Sequence, residues 1–129
     1  MRKPLSNLLG LVLLLAALTI PVQAQKLTEK YIPIGQSPGL SGKFTVIGKV
    51  EDLNVEGQCI TVLDANRKSY TVLCTEKTRF WLDRSAVDKP NQDGALRQCQ
   101  MGRRVEVKFR DNDPAKPAEW VKVQVTAPE

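Results

Sequence analysis

Cys59-Ile60-Thr61-Val62-Leu63 and Tyr70-Thr71-Val72-Leu73-Cys74 are two short runs rich in β-branched residues, separated by the polar segment Asp64 to Ser69. Val, Ile and Thr suit a pleated, half-buried surface, and two such runs around a polar turn predict a β-hairpin. A loop centred on Asn66-Arg67 pairs Leu63 with Tyr70, Thr61 with Val72 and Cys59 with Cys74. With Ala65 to Lys68 as the loop, the two cysteines fall in a non-hydrogen-bonded pair, where the backbones come close enough for a disulfide.

Alternation continues on both sides of the hairpin. Upstream, Phe44, Val46, Gly48 and Val50 share one side, with Gly48 placed as a bulge or bend inside the strand. Downstream, Val105, Val107 and Phe109 alternate with charged residues, and Val121, Val123 and Val125 alternate with Trp120, Lys122 and Gln124. Between hairpin and final strands lie the short run Arg79-Phe80-Trp81-Leu82 and a polar stretch, Asp83 to Gln100, with room for one helical turn. About five short strands and at most one short helix predict an all-β domain over residues 43–126: a small, strongly twisted five-stranded barrel, with an antiparallel sandwich as the alternative.

The N-terminus reads as an address. Arg2 and Lys3 precede an uncharged apolar run, Leu8 to Ile20, that reaches about 20 Å as a helix, short of the roughly 30 Å hydrocarbon core of a bilayer. Pro21 breaks it, and Val22-Gln23-Ala24 offers small residues where a signal peptidase cuts. Residues 1–24 are therefore expected to be a cleaved export signal, making the mature protein periplasmic or secreted and not membrane-spanning. Residues 25–42, with two prolines and three glycines, predict an extended, irregular arm. Within it Tyr31, Ile32 and Ile34 are candidates for docking onto the sheet edge of another chain.

Composition closes several chemistries. The 129 residues hold 19 Lys+Arg, 14 Asp+Glu, three cysteines and no histidine. Serine or cysteine nucleophiles activated by imidazole, and metal sites built on it, have no residue to use. Gly35-Gln36-Ser37-Pro38-Gly39 has the spacing of a hydrolase nucleophile elbow. Pro38 has no N–H to give to an oxyanion hole, so the segment reads as a turn. Asp111-Asn112-Asp113 opens like a calcium loop but lacks its glycine and closing glutamate. No catalytic residue, metal or cofactor is expected. The cysteines split into a structural pair, Cys59 and Cys74, suited to an oxidising compartment, and Cys99, which is either a buried apolar thiol or a reactive one.

Without its signal the chain carries 17 basic and 14 acidic residues, a modest excess. The cations are not evenly spread. Arg104, Lys108 and Arg110 project from one side of a strand. Pairing Val107 with Val121 sets Glu106 opposite Lys122 and Lys108 opposite Trp120. Arg104, Lys108, Arg110, Trp120 and Lys122 are thus the candidate ligand-binding residues for a phosphate polymer or an acidic glycan. The other reading of the same face is self-neutralisation by a cross-strand ion pair and a cation–π contact.

Gly48 to Val50, the Ile60-Thr61-Val62 and Thr71-Val72-Leu73 hairpin, Thr78, and Gly102-Arg103-Arg104-Val105-Glu106-Val107 together resemble the small exported bacterial β-barrel domains of OB-like topology, a family of unknown function. The likeness spans about residues 42–125. It implies a five-stranded barrel, an envelope location, no catalytic residue and a buried side chain at Cys99. Related exported barrels that bind copper use His and Met ligands, a set this sequence lacks. The expected function is a non-enzymatic module that binds a partner or serves an envelope assembly. Two alternatives stand beside it: an anionic polymer, oligonucleotide or acidic glycan, on the basic strand face, and thiol redox chemistry through Cys99.

Overall fold

The computed structural model describes residues 28–37 and 44–127. The proposed export signal and, of the lead-in, residues 25–27 and 38–42 lie outside them. Seven strands follow in chain order: β1 (Thr45–Asn54), β2 (Cys59–Asp64), β3 (Ser69–Leu73), β4 (Arg79–Asp83), β5 (Gln92–Asp93), β6 (Arg104–Phe109) and β7 (Ala118–Gln124). They form one sheet in the order β3-β2-β1-β6-β7-β4-β5, antiparallel except for the parallel pair β4–β7. The all-β expectation holds, but the five-stranded count does not: β4 and β5 complete a seven-stranded mixed sheet. The one helical turn expected in 83–100 is two 3-10 turns, Ser85–Val87 and Leu96–Gln98.

β4 escapes a search for alternation because it is covered on both faces. Leu82 is buried in the core, while Trp81 and Asp83 are buried on the opposite side. A strand covered twice shows no polar phase, and a parallel partner far along the chain leaves no local turn to announce it. β5, two residues long, carries no pattern at all.

One hydrophobic cluster joins residues from both ends of the sheet: Val72 and Cys74, Val46 and Val50, Val105, Val107 and Phe109, Val121 and Val123, and Leu82. No long helix among the described residues covers this face, so the sheet must cover itself. It curls, and Tyr70 on the β3 edge reaches Phe109 on central β6, ring centroids 6.4 Å apart. Gly48 lies where β1 passes between β2 and β6. A Cβ there would sit 2.2 Å from the Leu63 carbonyl oxygen. The bulge expected at Gly48 is instead between Val50 and Asp52.

The hairpin is shifted by one residue from the expected register. Cys59 faces Leu73, Thr61 faces Thr71 and Val62 faces Tyr70. The turn explains the slip. Asp64 N–H donates to the Lys68 carbonyl, and the Asp64 carboxylate accepts the N–H groups of Asn66 and Lys68. Arg67 takes the left-handed conformation, φ 63°, that usually signals itself as glycine. The loop is therefore three residues, not four, and Cys59 no longer opposes Cys74. All three cysteines are free thiols in this structure.

Cys74 and Cys99 are buried and Cys59 is half-buried. Burial pushes the Cys99 thiol up to about 12 and the Cys74 thiol up to about 11. Both folded values lie above the ordinary value of 9.0, so the folded state keeps protons that the unfolded chain gives up. Their contribution to stability is complete below about pH 9 and is lost as pH rises from there towards 11 and 12. Reduced protein should thus lose stability in urea titrations on going from pH 8 to pH 10.5, and a Cys74→Ala, Cys99→Ala variant should lose less over the same interval. At pH 8 a small alkylating agent should modify Cys59 in the folded protein and the other two thiols only after unfolding.

Candidate cationic groove

The arm packs on its own domain. Residues 28–37 lie over the outer face of β6, β7 and β4, and Ile34 is 5% exposed. Its N–H donates to Asp83 Oδ2 at 2.8 Å, and that of Gly35 to Glu106 Oε1 at 3.3 Å. Asn91 donates to the Lys30 carbonyl, and the Lys30 ammonium reaches Asp93 at 3.0 Å. At the centre is Lys122, 0% exposed. Its ammonium donates to Glu29 Oε1 and to the Ile32 carbonyl, each at 2.9 Å, and lies 3.4 Å from Ser37 Oγ. Glu106 is 4.0 Å away. Of the three residues considered for docking onto another chain, Ile34 is buried, Ile32 is half-buried and binds Lys122 through its carbonyl, and Tyr31 is 60% exposed.

Beside the arm the same face is open. The expected register of β6 and β7 is present, with Val107 opposite Val121, Glu106 opposite Lys122 and Lys108 opposite Trp120. Parallel β4 adds Arg79 beside Trp120 and Trp81 beside Lys122. One row across the sheet thus reads Lys108, Trp120, Arg79, with Lys108 and Arg79 two strand spacings, roughly 10 Å, apart. The turn before β4 contributes Thr75 and Lys77, and the turn after β6 contributes Arg110 and Asp111. Together with Trp81, Ala118 and Glu119 these residues line a groove of about 600 Å³.

Its floor is aromatic but closed. Trp81 and Trp120 are each 3% exposed, with ring centroids 5.5 Å apart and planes inclined by 30°. The Lys122 ammonium lies 4.7 Å from the Trp120 centroid. Its walls carry four cations and two carboxylates. Lys108 Nζ is 2.6 Å from Glu119 Oε2, and Lys116 Nζ is 2.7 Å from Asp111 Oδ2. The hydrogen bond from Lys116 holds the Asp111 carboxyl below the usual carboxylate range. Lys77, Arg79 and Arg110 are exposed and make no ion pair among the described residues. Three solvated cations facing a concave surface attract anions; the two tied carboxylates supply fixed hydrogen-bond acceptors.

Of the five residues proposed for ligand binding, Lys108, Arg110 and Trp120 line this groove. Lys122 is spent on the arm. Arg104 is half-buried, its guanidinium 3.4 Å from where a Cβ on Gly35 would stand. Lys77 and Arg79 lie on no strand that the sequence pattern displays. Arg79 and Trp81, two residues apart, share one face of β4, but nothing local shows that β7 is the neighbour. Among the described residues, no group of three His, Cys, Asp or Glu side chains is arranged to hold a metal ion.

These features define a small all-β domain with a strapped outer face and a cationic groove. No family model matches the chain, and no curated protein matches it. Solved structures with some likeness include Ag(I)CusF, 14% identical, covering 64% of this chain and 99% of that one at a TM-score of 0.42. Apo-CusF residues 6–88 from Escherichia coli is also 14% identical, covering 67% and 95% at a TM-score of 0.40. At that level the likeness transfers no ligand and no residue role.

Proposed function

We propose that this protein is an exported, non-catalytic binding module of the bacterial envelope, and that it takes an anionic ligand in the groove between the turns flanking β4 and β6. The observation that carries this reading is the convergence of Lys77, Arg79, Lys108 and Arg110 on one concave surface. The export signal read in residues 1–24 supports the location, and the lack of histidine leaves no imidazole for acid–base catalysis. A redox role is disfavoured by Cys99, which is 0% exposed and held protonated by burial.

The test is retention of envelope components by the immobilised domain at about 50 and 500 mM salt, a range over which purely electrostatic binding falls steeply. Wild-type protein should retain anionic material at low salt. Arg79→Glu with Arg110→Glu should abolish that retention while leaving the thermal melt within about 3 °C, because both side chains are solvated surface groups. Undiminished retention by the double variant would remove the groove from consideration.

A further inference from the structure

We infer that the ligand of this groove is an acidic saccharide, a sugar chain carrying carboxylate or sulfate groups, and not a nucleic acid. This rests on the groove being the binding site, as proposed above, and adds the chemistry of what it holds.

Two features select the class. First, single-stranded nucleic acid is usually held without sequence preference by stacking its bases on exposed aromatic faces. Here Trp81 and Trp120 are packed on one another, each 3% exposed, with Lys122 over the Trp120 ring. The groove has an aromatic floor and no open ring face, so it offers bases no platform. Second, the groove interleaves cations with carboxylates. Glu119 is fixed by Lys108 and Asp111 by Lys116. A phosphodiester backbone presents acceptors and negative charge but no donor, so it gains nothing from the carboxylates to offset their repulsion. A uronic acid or sulfated sugar presents anionic groups together with several hydroxyl donors. Its anions meet Arg79, Arg110 and Lys77, while its hydroxyls donate to Glu119, Asp111 and Thr75. Arginine's planar fork suits the two oxygens of a carboxylate.

The experiment is calorimetric titration of the folded, purified domain at about 50 mM salt. The probes are an oligogalacturonate of six units, its methyl-esterified uncharged counterpart, an oligo(dT) and an oligoglutamate peptide of matched charge. Oligogalacturonate should bind at least tenfold tighter than each of the others. Arg79→Ala and Arg110→Ala should each weaken it about tenfold, the equivalent of about 1.4 kcal/mol. Glu119→Gln separates the classes by sign. It should strengthen oligo(dT), because a repelling charge is lost, and weaken oligogalacturonate several-fold, because for the sugar the loss of a charged hydroxyl acceptor outweighs the same relief of repulsion. Preference for oligo(dT) or the peptide, still dependent on Arg79 and Arg110, would overturn the saccharide assignment and leave the groove standing. Binding of any probe that ignores both arginines, or of none, would overturn the groove as well.

Discussion

Gly48→Ala should cost at least about 3 kcal/mol and leave little cooperatively folded protein at 37 °C. The added Cβ would lie 2.2 Å from the Leu63 carbonyl oxygen, 2.7 Å from its carbon and 2.9 Å from Val62 Cγ1. Two of these three atoms are backbone of the neighbouring strand. They cannot swing aside as a side chain would; β1 and β2 must separate at the position where Gly48 pairs with Asp64. Overpacking a well-packed interior usually costs 1–3 kcal/mol, and a clash with ladder backbone belongs at or above the top of that range. Gly57→Ala is the internal control. Its Cβ would press on the exposed Asn54 side chain, which can move, so the loss should be nearer about 1 kcal/mol. Urea unfolding of both variants measures the difference. Equal, small losses would mean that the strands do not approach this closely at Gly48.

Lys122→Ala should have an effect of similar size by a different route. Removing the ammonium takes away the cation that Glu29 Oε1 and the Ile32 carbonyl both accept from, and it leaves Glu106, 2% exposed, without its nearest cation. Breaking a buried pair from one side typically costs 3–5 kcal/mol, because a charge is left without compensation. For a domain of this size that lowers the melting temperature by more than about 10 °C. Adding Glu29→Gln to Lys122→Ala should restore part of the loss, since one of the two carboxylates that lose the ammonium becomes neutral. The arm should respond before the core of the sheet does: trypsin should cut after Lys30 in the Lys122→Ala protein under conditions where wild type is spared. A Lys122→Ala variant with an unchanged melt and a protected Lys30 would show that the arm is held by Ile34 and Asp83 instead.

The two sites differ in how visible they are in the chain. Lys108 and Trp120 lie on antiparallel neighbours whose valines alternate with polar or aromatic residues, and Arg110 follows β6 directly, so the period of two displays which residues share a surface. Arg79 and Trp81 belong to a strand buried on both sides and paired in parallel across some forty residues of sequence. The arm is harder still. Its fixing groups, Lys122, Asp83, Glu106 and Asn91, look like ordinary surface residues until the fold places each against a particular backbone N–H or carbonyl. The hairpin slipped by one place because Arg67 occupies a left-handed position without being glycine, and a one-residue slip was enough to separate Cys59 from Cys74.

Local order along the chain determined the all-β class, the pairing of β6 with β7, the identity of most core residues and the lack of imidazole chemistry. Each depends on neighbours two residues apart, on strands joined by a short turn, or on composition alone. The tertiary structure alone decided that the sheet has seven strands, that the arm straps its own domain, and that cations from two distant turns meet over a closed tryptophan floor. Those outcomes depend on contacts between segments 40 to 93 residues apart. At such separations the free energy that selects a partner comes from burial and from satisfied polar groups, neither of which exists before the chain has folded.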